Sequence, residues 1–238
     1  MKKAIIIGAS SGIGKSLSEV LIQNNYKVGI TGRRIELLKS IQAQYPDQIY
    51  YTELDVQDLS SINKACLELT TKLGGLDLLI ISAGIGEINK ELDFSIDTDV
   101  LLTNVTGFTA VANWAMNYFK SQGSGHLVNI SSIAGLRGNG DAPSYNATKA
   151  FQINYFEGLR LNAYKSGNPI YVTDVRPGFV DTAMAKGDGL FWVAPVEKAA
   201  LQIYSAIKRK KKVIYITRRW RIIALLLRLL PFSILKKL

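Results

Sequence analysis

Hydrophobic and polar positions follow two alternating periods over most of the chain. The apolar run KAIIIG (residues 3–8) is typical of a strand covered on both faces, whereas SGIGKSLSEVLIQN (11–24) has its apolar positions at helical spacing. YKVGITG (26–32) returns to strand character, so the three segments predict one βαβ unit. Strand-like and helix-like segments then continue to alternate as far as PIYVTDVRPG (169–178).

This alternation predicts an α/β fold of the Rossmann type, in which a doubly wound parallel sheet is flanked by helices in three layers. No Pro/Ser/Gly-rich linker or internal repeat interrupts it, so we expect one domain over residues 1–217, followed by a basic, leucine-rich helical tail over residues 218–238. Ligands of such sheets bind outside the carboxyl ends of the strands. Functional motifs are therefore expected at those ends.

Charge is distributed unevenly. The net charge is +10, but residues 208–238 contain 11 Lys/Arg and no Asp/Glu, while the rest of the chain carries a net charge of −1. The body thus has no excess of positive charge for a nucleic acid, and we expect no nucleic-acid partner. The single cysteine, Cys66, suits a reducing compartment, and the start MKKAIIIG lacks the apolar length of a signal peptide, so a cytoplasmic location is expected. The sequence has no cluster of metal-ligand type, and we expect no metal.

A glycine loop, GASSGIG, follows the first predicted strand and opens the first predicted helix. Glycines allow the tight turn and the close approach of a pyrophosphate to backbone N–H groups at a helix N-terminus. A tight turn without a ligand is the alternative, which the position between strand and helix disfavours. The predicted cofactor-binding residues of the loop are Gly8, Ser10, Ser11, Gly12, Ile13 and Gly14.

Two arginines end the second predicted strand, where an adenosine ribose would lie. An acidic residue there would favour a free 2′-hydroxyl, but the chain has Arg33 and Arg34 after Gly32. Because an arginine fork binds phosphate in a bidentate manner, we predict NADP(H) as the preferred cofactor and NAD(H) as the alternative. A solvated charge at a helix start is the competing interpretation of Arg33.

The pattern Tyr-x-x-x-Lys occurs twice, as YNATK (145–149) and YSAIK (204–208). The four-residue spacing puts Tyr145 and Lys149 on one face of a helix. Ser132 lies thirteen residues before Tyr145, at the end of the strand-like segment HLVNISS, whereas the second copy has no such partner. The first copy is therefore the candidate for proton transfer.

With LDV (54–56), SAG (82–84), Asn104 and RPGFVDT (176–182), these motifs resemble the short-chain dehydrogenase/reductase family in order along three quarters of the chain. The resemblance implies an oxidoreductase that interconverts a carbonyl and an alcohol by hydride transfer. It implies the following roles: Tyr145 transfers the hydroxyl proton, Ser132 holds the substrate oxygen, Lys149 lowers the pKa of the tyrosine and holds the nicotinamide ribose, and Asn104 seats a relay water.

The resemblance also implies further cofactor contacts and a homodimer or homotetramer. The family usually has Asn-Asn-Ala-Gly where this chain has Ile81 and Ser82 before Ala83 and Gly84, so the hydrogen bonds behind the cofactor are expected to differ. A dinucleotide-binding sensor without turnover is the alternative function. The implied contacts are Asp55, Val56, Ser82, Ala83, Gly84, Tyr145, Lys149, Pro177, Gly178, Val180 and Thr182.

After Thr182 the resemblance is no longer specific, and this is where substrates are selected. In the substrate loop, residues 183–195, the cluster of Leu190, Phe191 and Trp192 predicts either an apolar lid for an apolar substrate or packing against the body.

The tail places Arg218, Arg221 and Arg228 on one side of a helix, with Ile223, Leu226, Leu227 and Leu230 on the other. Two interpretations are open. One is peripheral contact of residues 218–238 with the inner face of a membrane, which would also allow a role as a membrane-surface scaffold. The other is packing on the body or on a second subunit.

Overall fold

A parallel sheet of seven strands forms the centre of the molecule, in the order β3-β2-β1-β4-β5-β6-β7. The computed structural model describes residues 1–185 and 190–235. The strands are β1 (Lys2–Ile7), β2 (Tyr26–Gly32), β3 (Ile49–Glu53), β4 (Leu78–Ile81), β5 (Gly125–Ile130), β6 (Ile170–Pro177) and β7 (Val213–Ile216).

Helices cover both faces of this sheet, which confirms the predicted Rossmann-type, three-layer architecture. A π-helical turn (Leu102–Gly107) joins α4 to α5, and a short 3-10 helix (Ile133–Leu136) follows β5. The α-helices are α1 (Gly12–Gln23), α2 (Ile35–Gln44), α3 (Leu59–Leu73), α4 (Phe94–Leu101), α5 (Phe108–Gln122), α6 (Pro143–Lys165), α7 (Val196–Lys208), α8 (Trp220–Leu229) and α9 (Phe232–Leu235).

Two apolar cores lie on opposite faces of the sheet. One is formed with α1, α2 and α7, and the other with α3, α5 and α6. Residues Ala4–Ile7 of β1 are fully buried because both faces of this central strand are covered. This burial on both faces explains why the segment that predicted β1 is a continuous apolar run.

The sequence pattern did not predict β7. Its four residues, VIYI, have strand character, but the run is at the lower limit of strand length and directly follows five consecutive basic residues, Lys208–Lys212. β7 forms because it pairs with β6 in parallel, for example Val175 with Ile214. Residues 186–189 of the substrate loop and 236–238 of the tail lie outside the described residues.

The core between α5 and β5 generates a stability prediction. Phe119 is fully buried, and a Cβ at Gly125 would lie 2.1 Å from its Cδ1 atom, so the ring occupies space that this glycine leaves free. Phe119→Ala should lower the free energy of unfolding by about 3–5 kcal/mol, because a cavity replaces the ring. Urea unfolding measures the change. The control Tyr164→Ala removes a ring that is 86% exposed and should change stability by less than about 0.5 kcal/mol.

Candidate active site

A cleft of about 1220 Å³ lies at the carboxyl ends of the strands, where the sheet order reverses between β1 and β4. All but two of the predicted site residues line it. Gly14, the last residue of the glycine loop, packs behind Gly8, and Asn104 is completely buried beside the cleft. The lining residues that the sequence predicted are Gly8, Ser10, Ser11, Gly12, Ile13, Arg33, Arg34, Asp55, Val56, Ser82, Ala83, Gly84, Ser132, Tyr145, Lys149, Pro177, Gly178, Val180 and Thr182.

The glycine loop packs too closely for side chains. Gly8 has φ +87°, and a Cβ there would lie 2.5 Å from the backbone nitrogen of Ala83. A Cβ at Gly14 would lie 2.1 Å from the carbonyl oxygen of Gly8, and Gly12 has φ +56°. These glycines are therefore required by the turn itself and by the close approach of α1 to the loop.

The N-terminus of α1 is available to an anion. The N-cap residue Ser11 makes no side-chain capping hydrogen bond, and no acidic residue stands in the first turn. Instead, Ser10 and Ser11 accept hydrogen bonds from the Arg34 guanidinium at 2.8 and 2.6 Å. Backbone N–H groups, the helix dipole and a cation thus converge on one part of the cleft, which fits the pyrophosphate of a dinucleotide.

Arg33 lies at the other side of the predicted ribose position. Its side chain is more than half exposed, and its Nη1 is 4.0 Å from a carboxylate oxygen of Asp55. At this distance, and in contact with water, the ion pair is weak. The Arg33 guanidinium is therefore free to pair with another anion in the cleft.

The phenol of Tyr145 and the hydroxyl of Ser132 lie together at the carboxyl end of β5. Ser132 follows β5 and starts the 3-10 helix, where its Oγ accepts from the Ala134 nitrogen at 3.1 Å, and Tyr145 lies in the first turn of α6. Burial raises the pKa of Tyr145, and its hydrogen bond with Ser132 lowers it in part.

Lys149 is one turn further along α6, and its ammonium lies 5.8 Å from the centroid of the Tyr145 ring. Its Nζ donates to the Ile130 carbonyl oxygen at 3.2 Å and to Gln152 Oε1 at 3.1 Å. Burial lowers the pKa of Lys149 to about 8, although the Asp174 carboxylate opposes this shift. The lysine is therefore mainly charged at neutral pH and loses its charge as the pH rises through about 8.

Asn104 lies within the π-helical turn between α4 and α5. Its side-chain amide accepts from Ile85 N at 2.9 Å and donates to Ile85 O at 2.7 Å and to Thr148 Oγ1 at 3.1 Å. The side chain therefore holds the segment after β4 against α6. The predicted role of Asn104 in seating a relay water remains a prediction.

Gln152, which the sequence pattern did not predict as a site residue, joins Asn104 to Lys149. The Gln152 side chain is fully buried on α6. Its Nε2 donates to the Asn104 carbonyl oxygen at 2.9 Å, while its Oε1 accepts from Lys149. Asn129 also donates to Oε1, at 3.4 Å. The signal available in the sequence was a long polar side chain three residues after Lys149, on the helix face that carries the lysine.

Gly86 was missed as well. A Cβ at this position would lie 2.8 Å from Cδ2 of the Tyr145 ring, so the segment after β4 can pass the phenol only without a side chain. A glycine in a loop gives no indication in the sequence of which distant ring it contacts.

The substrate loop and the tail meet at the mouth of the cleft. Leu190 lines the cleft together with Leu227 and Leu235 of the tail. Phe191 packs instead on Trp220 of α8, at 5.0 Å between ring centroids, and Trp192 packs on the same ring at 6.0 Å. Phe191 also packs on Phe179 of the body, at 5.8 Å between ring centroids, so the two aromatic residues pack on the protein. Closure of an apolar lid by this loop remains a prediction.

The tail itself packs on the body through one face of α8. Trp220 and Ala224 are buried, whereas Leu226, which the helical pattern grouped with Ile223 and Leu227, faces solvent. The side of the helix that contacts the body is thus rotated from the predicted stripe towards Trp220, because this ring fills the space above Gly178. A Cβ at Gly178 would lie 2.1 Å from Trp220 Cε2.

The second Tyr-x-x-x-Lys copy lies away from the cleft. Tyr204 on α7 packs edge-on against Tyr26, with ring centroids 6.4 Å apart, and Lys208 ends the same helix.

Among residues 1–185 and 190–235, there is no group of three or more His, Cys, Asp or Glu residues that could hold a metal ion. In the same ranges, no helix has the length and apolar character needed to cross a membrane.

Comparison with known proteins identifies the class. A family model described as "short chain dehydrogenase" matches residues 2–189. An uncharacterized oxidoreductase of Staphylococcus aureus strain USA300 is 33% identical over 186 residues, which cover 77% of this chain and 80% of that protein. The fold and these relatives define an oxidoreductase with a dinucleotide-binding fold.

Solved structures agree with this class. A short-chain dehydrogenase from Streptomyces avermitilis has a TM-score of 0.83 and 26% identity, with 95% of this chain and 91% of that chain covered. ElxO with NADP bound has a TM-score of 0.79 and 26% identity, with 90% and 96% covered. The chain belongs to the short-chain dehydrogenase family.

The Gln152 bridge generates a prediction on pH dependence. Gln152→Leu removes an acceptor of the Lys149 ammonium, so the pKa of Lys149 should fall further below about 8. A weaker positive charge stabilises the Tyr145 phenolate less, and the pKa of the phenol rises. If the Tyr145 phenolate is the base in alcohol oxidation, as the sequence motifs imply, the acid limb of that reaction should move to higher pH by about one unit.

The measurement is kcat/KM against pH with an alcohol that an activity screen identifies as a substrate. Gln23→Leu, a substitution at an exposed glutamine at the end of α1, is the control and should leave the profile in place. An unchanged acid limb in Gln152→Leu would show that the bridge only supports the fold.

Proposed function

We propose that the protein is an NADP(H)-dependent oxidoreductase that interconverts a carbonyl and an alcohol on an apolar substrate. The observation that supports this most directly is the placement of Ser132, Tyr145 and Lys149 in one cleft with the glycine loop. When bound, the nicotinamide supplies the hydride for reduction or accepts it in oxidation.

Tyr145 handles the proton in this proposal. In reduction, its Oη donates a proton to the substrate oxygen, and in oxidation the phenolate takes the proton back. Ser132 Oγ donates a hydrogen bond to the same substrate oxygen and fixes its position beside the phenol. Since burial raises the pKa of Tyr145, the phenolate needs nearby positive charge to form near neutral pH.

Lys149 supplies that charge from within the protein. Its ammonium is buried, so its field at the phenol is screened by the protein and not by bulk water. The chain of Lys149, Gln152 and the Asn104 carbonyl then extends from the phenol to the π-helical turn. We propose that these groups keep the lysine charged and oriented while Tyr145 exchanges its proton, with Asn104 placed to hold a relay water.

Arg33 supports the preference for NADP(H). It is exposed, directly after β2, and makes only a long ion pair with Asp55, whereas Arg34 is held by the serines of the loop. The structurally similar ElxO was solved with NADP bound. NAD(H) remains the alternative cofactor.

Apolar side chains at the mouth support an apolar substrate. Leu190, Leu227 and Leu235 line the cleft, and Met184 Sδ lies 3.8 Å from the Tyr145 hydroxyl. These groups offer contact area to hydrocarbon but few partners for a polar chain.

We also propose a cytoplasmic homodimer or homotetramer. Phe151 and Leu161 are exposed apolar residues of α6, and an added Cβ at Gly158 of the same helix would have no atom within 4 Å, so another helix can approach closely there. The buried thiol of Cys66, the single cysteine of the chain, suits a reducing compartment.

Tyr145→Phe tests the proposed chemistry. The variant lacks the transferable proton, so kcat should fall by about 10²-fold or more, while the affinity for NADPH, measured by fluorescence titration, should stay within about twofold. The control Tyr204→Phe alters the matching residue of the second Tyr-x-x-x-Lys copy and should retain turnover. Full activity of Tyr145→Phe in a screen of ketones and aldehydes would contradict the role.

Arg33→Asp tests the cofactor preference. Loss of a charge-assisted pair with a 2′-phosphate should raise the KM for NADPH by about tenfold to a hundredfold, with little effect on that for NADH. Arg209→Asp, at an exposed arginine after α7, is the matched control. If the ratio of the two KM values is the same in Arg33→Asp as in the unmodified chain, the 2′-phosphate does not bind at Arg33.

A further inference from the structure

Helix α8 is apolar on two opposite sides. Its inner side packs on the body through Trp220 and Ala224, and Leu227 reaches the cleft. On its outer side, Leu229 is 72% exposed and Ile222 is 65% exposed, with Leu225 and Leu226 between them. Packing on the body therefore explains only one side of the helix.

More exposed apolar residues lie next to the helix. Phe232 follows it after Pro231, and the substrate loop, in which Phe191, Trp192 and Val193 are exposed, contacts the Trp220 ring at the start of α8 through its two aromatic residues. We call this surface the tail patch; its residues are Phe191, Trp192, Val193, Ile222, Leu225, Leu226, Leu229 and Phe232. So large a group of exposed apolar residues is typical of an interaction surface.

Cations lie beside the tail patch. Arg218, Arg219, Arg221 and Arg228 lie on or next to α8, and none of them is in an ion pair among the residues that the structure describes. The Arg219 guanidinium lies 4.7 Å from the centroid of the Trp192 ring, so charge and apolar surface are in direct contact. The sequence from 208 to 238 has no acidic residue to neutralise them.

This charge pattern favours an anionic membrane over a second copy of the chain as the partner. In a symmetric contact between two copies, the tail patch would face itself, and the unpaired arginines of both copies would be brought together. A bilayer with anionic lipids offers hydrocarbon to the leucines and phosphate groups to the arginines at the same time. α8 has ten residues and is about 15 Å long, so it can lie in the interface but cannot span it.

The position of the tail is fixed relative to the cleft. Arg137, which lines the cleft, donates from Nη2 to the carbonyl oxygen of Leu230 at 2.8 Å, just after α8 ends. Leu227 and Leu235 face the cleft, while their neighbours face solvent. A surface bound at the tail patch would therefore lie beside the mouth of the cleft.

We propose that the protein binds the surface of an anionic membrane through the tail patch and takes its apolar substrate from that membrane. The uptake of an apolar substrate from the membrane rests on the proposed function, whereas membrane binding does not. The guanidinium groups pair with lipid phosphates, the outer leucines enter the apolar boundary, and the mouth between Leu190 and Leu227 opens next to the acyl chains.

Flotation of the full chain with phosphatidylcholine vesicles, with and without phosphatidylglycerol, tests the binding. The protein should float with the anionic vesicles and should be released by high salt. Leu225→Glu/Leu229→Glu changes two outer residues that do not line the cleft and should abolish flotation. The control Leu67→Glu changes an exposed leucine of α3 and should not. Arg221→Gln/Arg228→Gln should reduce the partition coefficient about tenfold or more.

Two outcomes would overturn the proposal. One is equal flotation of the full chain and the Leu225→Glu/Leu229→Glu variant. The other is an absence of flotation together with a dimer, seen by light scattering, that this variant dissociates, which would assign the tail patch to a second copy. Titration with NADPH should give the same affinity for all these variants, so failure of membrane binding and failure of the proposed function are distinguishable.

Discussion

The arrangement of the cleft depends on one buried cation. Lys149 carries its ammonium into the space between β5 and α6, where water cannot solvate it, and such a charge is tolerated only if protein groups replace the water. The Ile130 carbonyl and the Gln152 amide do this, and the Asp174 carboxylate favours the charged form from further away. Tyr145, one turn earlier on the same helix, is held where it is affected by the field of that charge.

Asp174 is itself buried and depends on further partners. It accepts from Ser131 Oγ at 2.6 Å and forms an ion pair with Arg176 at 2.7 Å. Burial raises the pKa of this carboxyl, and the Arg176 guanidinium opposes the shift. Side-chain hydrogen bonds thus join β6 to the end of β5, β5 to α6, and α6 to the π-helical turn, so the elements around the site are held together by these bonds as well as by packing.

The sequence predicted those parts of the structure that depend on local pattern. Buried strands appear as apolar runs, and the glycine loop appears because its turn excludes side chains, as Gly8 and Gly14 show. Gln152 and Gly86 could not be found in this way because their importance depends on atoms distant in sequence, the Asn104 carbonyl and the Tyr145 ring. The orientation of α8 was likewise decided by tertiary contact, since the space above Gly178 takes up Trp220 whichever stripe is more apolar.

The contact between Gly178 and Trp220 couples the position of the tail to the cleft. The indole lies directly against the backbone after β6, and this backbone is also a wall of the cleft. A displacement of Trp220 would therefore change the shape of that wall as well as the position of the tail. The two equilibria are then linked. If displacement of Trp220 changes the affinity of the cleft for a ligand by some factor, binding of that ligand must change the equilibrium for displacement of Trp220 by the same factor.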